Sequence, residues 1–161
     1  MLSDIFRVIV DVVRAGYQAA RKIPQVTCDV KGLYKARWSP DFFPDEEGNI
    51  IAEGIRIETA GTILLANSGW VDTAVKGVQV VCMSGKKVLG QLECGMKSKK
   101  SGYTPPLSGL ILLPRRIWGP ETITIEGSLW GMDEPPRDLE AELVIEVVSQ
   151  RPIKKKIKLY L

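Results

Sequence analysis

The side chains able to do chemistry in this sequence are three cysteines, two short acidic runs and a row of lysines near the C-terminus. Histidine is absent, which excludes every His-based triad, proton shuttle and metal site. The odd number of cysteines is no disulfide framework, and Cys28, Cys82 and Cys94 form no CxxC pair of the kind that holds zinc. We therefore expect no metal, no cofactor and a reducing, cytoplasmic compartment.

The acidic runs are DEE at 45–47 and DE at 133–134, both in turns rich in proline or glycine. Such clusters bind calcium in some proteins, but adjacent carboxylates in turns are more often solvated. Serines occur in turns with no histidine to activate them. The sequence therefore identifies no catalytic residue, and we expect a protein that is not an enzyme, although a carboxylate mechanism needs no histidine.

The C-terminal sequence PIKKKIKLYL places Lys154, Lys156 and Lys158 on one face of a predicted strand, and Lys155 breaks the alternation by pointing inward. Two interpretations of this basic strip stay open. It is either a surface for anionic lipid or nucleic acid, or an edge strand protected against pairing with another sheet. Because the basic runs lack interleaved aromatic residues, nucleic acid is not the expected partner.

Four tryptophans lie at predicted strand ends or in loops. Exposed together on one rim, they would stack on sugar rings or anchor a partner. Otherwise they close the two ends of the hydrophobic core. The four residues are Trp38, Trp70, Trp118 and Trp130.

The net charge of +3 is distributed unevenly along the chain. Residues 86–116 carry +6, residues 117–150 carry −7, and residues 151–161 carry +5. If these segments are neighbouring strands, their charges largely compensate one another across the surface.

The segment SDIFRVIVDVVRAGYQAARK, residues 3–22, is predicted to be a helix because its polar positions share an arc of about 100° at the helical period. Ser3 is a suitable N-cap, and Pro24 ends the helix. The remaining apolar arc is about 260° wide, far more than the stripe of roughly 100° that packs on a single core. We predict interaction residues on this arc, namely Ile5, Phe6, Ile9, Val12, Val13 and Tyr17.

Three explanations of the wide apolar arc stay open. The helix packs beneath its own domain, associates with a second copy through a bundle or an exchanged helix, or lies in a membrane surface. A membrane span does not fit, because four charges within the first 14 residues each cost about 2.5–3.5 kcal/mol near a bilayer centre. A secretory signal does not fit either, because Asp4 and Asp11 interrupt its basic and apolar regions.

From Gln25 onward the hydrophobic pattern changes to period 2, which is typical of strands. VTCDVKGLYKARW is predicted to be the first strand, and SPDFFPDEEGN, residues 39–49, is predicted to be a turn. About nine short strands without a helical period favour a two-sheet sandwich, with a barrel as the alternative. The further predicted strands are 50–58, 61–67, 74–83, 87–94, 108–113, 121–130, 139–148 and 152–161.

LLANSGWVDTAVKGVQVVC, a hairpin, and LILLPRRIWGPETITIEGSL together resemble the strand and turn pattern of immunoglobulin-like and fibronectin-type-III-like sandwiches. The resemblance covers residues 60–130 and implies an antiparallel sandwich. It implies no activity and no binding residues, because the disulfide pair of true immunoglobulin domains has no counterpart here.

These observations predict a mainly β protein, an immunoglobulin-like antiparallel β-sandwich at 25–161 preceded by an amphipathic α-helix at 1–24. The expected function is a non-catalytic structural or protein-interaction module, a homo-oligomer or a protein that binds a partner through its N-terminal helix. The alternatives are a sandwich that binds carbohydrate or a small ligand, and a protein peripheral to a membrane surface.

Overall fold

The computed structural model describes residues 12–19, 22–31, 35–96 and 107–161. The described residues form a helix, α1 (12–19), and nine strands that pair antiparallel, which confirms a mainly β chain with one helix. The strands are β1 (Val26–Lys31), β2 (Arg37–Pro44), β3 (Ile50–Asn67), β4 (Thr73–Ser84), β5 (Lys87–Met96), β6 (Ile111–Leu112), β7 (Arg116–Trp130), β8 (Leu139–Val147) and β9 (Ile153–Ile157).

One hydrogen-bonded path runs through the sheet in the order β1-β3-β7-β5-β4-β8-β9, with β2 added beside β3 and β6 beside β4. The sheet curls until its outer strands, β1 and β9, approach each other, so that it is nearly closed into a barrel. The expected two-sheet, immunoglobulin-like sandwich is not confirmed. Period-2 patterning shows which face of a strand is buried, but it is the same whether a sheet splits in two or curls on itself.

Along its length, β5 passes from one neighbouring strand to another. This strand pairs with β4 as far as Glu93, and from Glu93 onward it pairs with β7. A Cβ on Gly127 of β7 would lie 3.1 Å from Leu92 Cα, and a Cβ on Gly90 would lie 2.8 Å from Leu129 Cδ2. The two glycines therefore permit the close approach of β5 and β7 that turns the sheet.

Alternate side chains of the long strands point inward and form the core. All three cysteines are free and lie among the buried residues, where they pack as small hydrophobes. The largest fully buried side chains are Ile55, Ile57, Ile63, Leu65, Val75, Leu92, Leu107, Ile123, Ile125, Leu129, Leu143 and Ile145.

Side chains close the seam between β1 and β9. The Gln150 amide accepts a hydrogen bond from Val26 N (2.8 Å) and donates one to Val26 O (3.0 Å), as a paired strand would. Lys155 Nζ donates to Cys28 O at 2.8 Å and lies 3.8 Å from the Asp29 carboxylate. The predicted inward lysine is therefore half-buried between the sheet edges, where it occupies a carbonyl that another strand would otherwise bind.

The turn predicted at 39–49 is wrong over most of its length. Residues 37–44 form β2, an edge strand in which Phe43 lies opposite Ala52 of β3. Pro40 and Pro44 are compatible with a strand here because one side of β2 has no neighbouring strand in the sheet order, so a missing N–H costs no ladder bond there. The two strands predicted at 50–58 and 61–67 are one continuous strand, β3.

Candidate interaction surfaces

The helix α1 is exposed along its whole described length. Every residue of 12–19 is exposed to solvent, including Val12 and Val13, each 65% exposed, and Tyr17, 55% exposed. Three of the six predicted interaction residues therefore present large side chains to solvent. The other three, Ile5, Phe6 and Ile9, lie outside the described residues. In 12–19 the helix does not bury its apolar side beneath its own domain.

The chain that follows α1 is attached at one end of β3. Ser68 N donates to Gln25 O at 2.9 Å, and the Asn67 side-chain oxygen accepts bonds from Gln25 N (3.4 Å) and Gly69 N (3.0 Å). A Cβ on Gly69 would lie 2.8 Å from Gln25 N, so glycine is required for this close approach. These contacts place the base of α1 at the Asn67 end of the barrel.

A second exposed apolar surface lies at the other end of β3, where β2 and β3 form a hairpin beside the end of β7. We call this surface the aromatic hairpin. Its large side chains are between 41% and 60% exposed. Successive side chains of a strand alternate, so Phe42 and Phe43 lie on opposite faces and both faces of the hairpin expose apolar side chains. Clustered exposed apolar residues mark an interaction site more often than isolated ones do. The residues are Trp38, Phe42, Phe43, Ile50, Ile51 and Trp130.

The outer face of the aromatic hairpin is held in place by packing and hydrogen bonding. The rings of Phe43 and Trp130 meet edge to face, with centroids 5.9 Å apart. Trp130 lies over Gly54, where a Cβ would come within 2.9 Å of the Trp130 ring. Ser128 Oγ donates a short hydrogen bond to the Asp41 carboxylate, which ties β2 to β7 across β3. Three strands, β2, β3 and β7, therefore hold the outer face of the aromatic hairpin in place.

The turn of the aromatic hairpin is acidic. The Asp45 carboxylate accepts bonds from Asn49 Nδ2 (3.1 Å), Asn49 N (2.8 Å) and Glu47 N (2.9 Å). Chiefly because of the Asn49 side chain and backbone, the pKa of Asp45 is lowered. The carboxylate organises the turn, as an Asx motif does. No group of three or more metal-ligating side chains occurs among the described residues.

The predicted basic strip is exposed on β9, but the neighbouring strand partly neutralises it. Lys154 Nζ lies 3.9 Å from the Glu142 carboxylate, and Lys156 is directly opposite Glu142 in the register. Lys158 follows the end of β9 and is also exposed. The acidic segment 117–150 and the basic segment 151–161 are thus adjacent, in agreement with the charge pattern. Beside them, a cavity of about 340 Å³ is lined by Lys31, Lys155, Lys156 and Lys158.

The four tryptophans do not share one rim. Trp130 pairs with Gly54 and Trp118 with Leu65 on β3, so they are eleven residues, or roughly 36 Å, apart along that strand. Trp118 packs against the core, whereas Trp38, Trp70 and Trp130 are exposed, so three of the four do not close the core as expected. The Arg115 guanidinium carbon lies 4.9 Å from the centre of the Trp70 ring.

A cavity of about 690 Å³ opens where β4 and β5 separate. Glu93 and Glu126, directly opposite each other, lie at its wall, and Arg56 binds the Glu126 carboxylate at 3.2 Å. The Thr124 hydroxyl is buried there without a hydrogen-bond partner among the described residues. Burial raises the pKa of Cys94 to about 12, so this lining thiol is protonated and a poor nucleophile at neutral pH.

In the described part of the chain, no helix has the length and hydrophobicity needed to cross a membrane.

Comparison with known proteins assigns this chain to no family and indicates no function. No protein-family model and no curated protein sequence matches the chain. A crystal structure of the ApaA protein from Bordetella pertussis is 15% identical, with a TM-score of 0.40, over 84% of this chain and 90% of that one. Northeast Structural Genomics Consortium target SoR45 is 13% identical, with a TM-score of 0.33, over 83% of this chain and 82% of that one. At these TM-scores, neither structure carries an inference about this chain.

The aromatic hairpin is the surface that the sequence prediction missed. Its sequence signal was present in FF followed by a turn and then II, since large apolar pairs on both sides of a turn are typical of a hairpin. The prolines at 40 and 44 oppose that signal, because prolines flanking a short apolar run predict a turn.

Proposed function

We propose that this chain is a non-catalytic interaction module that self-associates through its N-terminal helix. The observation that carries the proposal is the exposure of the whole of 12–19, with Val12 and Val13 each 65% exposed. A surface helix of a globular protein normally turns its apolar stripe toward the core, and this one does not.

The energetics favour a partner for the helix. Burying a fully exposed valine side chain is worth about 1.5–3 kcal/mol, so Val12 and Val13, each 65% exposed, together offer about 2–4 kcal/mol to any surface that covers them. The predicted helical segment 3–22 is rich in β-branched residues, and an isolated helix of that length is marginal in water. Its stability in solution is therefore expected to depend on a surface that covers the exposed Val12 and Val13.

The setting proposed for this module is the cytoplasm. Its support is the three buried thiols, which belong in a reducing compartment. Attachment to a membrane surface through the same helix is the competing proposal. Kinship with immunoglobulin-like sandwiches is also a proposal, supported by antiparallel strand pairing over residues 60–130, and it assigns no activity.

The test is the molar mass in solution, by light scattering on a sizing column, of the full chain and of Val12→Lys. The matched control is Gln18→Lys, which adds the same charge to the polar side of the helix. We expect an oligomer for the full chain and for Gln18→Lys, and a monomer for Val12→Lys. A full chain that stays monomeric at all concentrations would overturn the proposal, and co-sedimentation with anionic vesicles would favour the membrane alternative.

The second candidate is binding of carbohydrate or another small ligand. It is favoured by the exposed Phe43 and Trp130 rings, which are held at a fixed angle on three strands. Titration of a sugar panel against tryptophan fluorescence tests it, with Trp130→Ala as the control variant. No change in fluorescence with any sugar would count against this candidate.

A further inference from the structure

We propose that the aromatic hairpin is the surface on which α1 of a second copy docks. The inference rests on the proposed self-association and names the surface that receives the helix. It replaces a helix-to-helix bundle by a contact between two different parts of the chain, α1 of one copy and the β2–β3 hairpin of the next.

The distance along β3 places the far end of the hairpin, with Phe43 and Ile51, beyond the reach of the molecule's own helix. The base of α1 is attached beside Asn67, and Ile51 of the aromatic hairpin lies sixteen residues away on the same strand. At about 3.3 Å per residue, the separation along β3 is roughly 53 Å. A helix of the whole predicted length, residues 3–22, spans only about 30 Å. A helix that covers Phe43 and Ile51 must therefore belong to another molecule.

The charges of the two surfaces are complementary. Residues 37–56, which contain the hairpin, carry five carboxylates and two arginines, for a net charge of −3. The turn at 131–134 adds Asp133 and Glu134 beside it, because Gly131 N donates to Glu53 O at 2.8 Å. Residues 3–22 carry four cations and two anions, for a net charge of +2. An acidic rim around apolar side chains attracts a basic amphipathic helix and repels an anionic membrane.

The form of β2 favours side-chain packing over strand addition. Pro40 and Pro44 both lie on this edge strand, so its outer edge lacks two of the N–H groups that a further strand would use. The apolar side chains stand on the faces of the hairpin instead, with Phe43 and Trp130 on one face. An amphipathic helix laid across such a face buries residues of its apolar side, which in α1 include Val12, Val13 and Tyr17.

Two lysine substitutions and their mixture test the proposal. Phe43→Lys removes an anchor from the hairpin, and Val12→Lys removes one from the helix. Each is expected to weaken association at least about 30-fold, the effect of losing a central interface residue. Ile117→Lys, which charges a 67% exposed residue outside both surfaces, is the matched control and should associate like the unaltered chain. Molar mass is measured by light scattering over a range of concentrations.

The mixture separates this proposal from a helix bundle. An equimolar mixture of Phe43→Lys and Val12→Lys retains one intact helix and one intact hairpin on different molecules. It is expected to form a dimer at a concentration where each variant alone is a monomer. A mixture that stays monomeric would overturn the docking of helix on hairpin.

Failure of the inference and failure of the proposed function give different results. If Phe43→Lys and Ile51→Lys both associate like the unaltered chain while Val12→Lys does not, the helix mediates association but the hairpin does not receive it. If the unaltered chain is itself a monomer, the self-association fails and the inference fails with it. Circular dichroism and thermal unfolding of each variant establish that the barrel is folded, and Ile51→Lys replaces Phe43→Lys if the latter is not.

Discussion

Replacing Gln150 by alanine tests whether side chains close the barrel. Gln150 makes two hydrogen bonds to the backbone of Val26, at 2.8 Å and 3.0 Å, and so takes the place of a strand beside β1. Each bond contributes about 1 kcal/mol net, but the Val26 N–H left without its partner costs about 1–2 kcal/mol in place of that value, the lower part of the range for buried donors, because the bond is only part-buried. Because Val26 is only 4% exposed, we expect a loss of about 2–3 kcal/mol in the free energy of unfolding.

Two measurements follow that loss. Urea unfolding monitored by circular dichroism gives the free energy, and the thermal midpoint should fall by about 5–10 °C for a chain of this size. Hydrogen exchange at the Val26 amide reports on the seam itself and should become faster by a larger factor than exchange elsewhere in β1. The matched control is Gln79→Ala, because Gln79 is a half-buried glutamine on β4.

Lys155→Met is a milder perturbation of the same seam between β1 and β9, and its effect on stability is compared with that of Gln150→Ala. It removes one hydrogen bond, to Cys28 O, and an ion pair with Asp29 in which both side chains are over 40% exposed. Exposed ion pairs contribute little, so the expected loss is about 1 kcal/mol, less than for Gln150→Ala. If Gln150→Ala is no more destabilising than Gln79→Ala and the Val26 amide exchanges at its original rate, Gln150 does not close the seam between β1 and β9.

Two further predictions concern close backbone approach and buried thiols. Gly54→Ala would place a Cβ 2.4 Å from Leu129 O, so urea unfolding should show a loss of at least about 2 kcal/mol, whereas Gly77→Ala meets nothing within 4 Å and should be nearly neutral. Burial raises the pKa of Cys28 and Cys82 to about 11, so at pH 8 these thiols should react with a disulfide reagent only after unfolding. Since the unfolded thiols ionise near pH 9 and the folded ones do not, stability should fall as the pH rises from about 9 to 11, by up to about 1.4 kcal/mol per pH unit for each thiol. Cys82→Ala should reduce that slope by the contribution of one thiol, and an unchanged slope would contradict a raised pKa for Cys82.

Local patterning predicted the elements with strong periodicity. The mainly β character and most of the strands follow from period-2 alternation, and the described helix falls inside the predicted segment 3–22. The inward position of Lys155 was also predicted, because one polar residue at an apolar position of an alternating strand must point toward the core. These are properties of neighbouring residues in the sequence, which single-sequence reasoning can resolve.

Closure of the sheet could not be predicted in the same way. It depends on which strand lies beside which, and in particular on β5 changing partner at Glu93 and on the close approach at Gly90 and Gly127. Nothing local distinguishes a glycine that permits a crossing from a glycine in a turn. The candidate site was missed for a related reason, because Pro40 and Pro44 are turn residues in most contexts and are compatible with a strand here only because β2 is an edge.

The route of the chain gives the barrel two different ends, and this determines what kind of assembly it can form. The base of α1 lies at the Asn67 end of β3, and the aromatic hairpin lies at the other end of the same strand. A contact between the two joins different surfaces of two copies, so it is either made twice in a closed two-fold dimer or repeated head to tail. When two copies lie side by side and antiparallel, each helix contacts the hairpin of the other copy. When copies are placed end to end, one helix and one hairpin stay uncovered, so further copies add to form a ring or a chain. A discrete dimer in the light-scattering experiment would therefore indicate the antiparallel arrangement, and masses that rise steadily with concentration would indicate the end-to-end one.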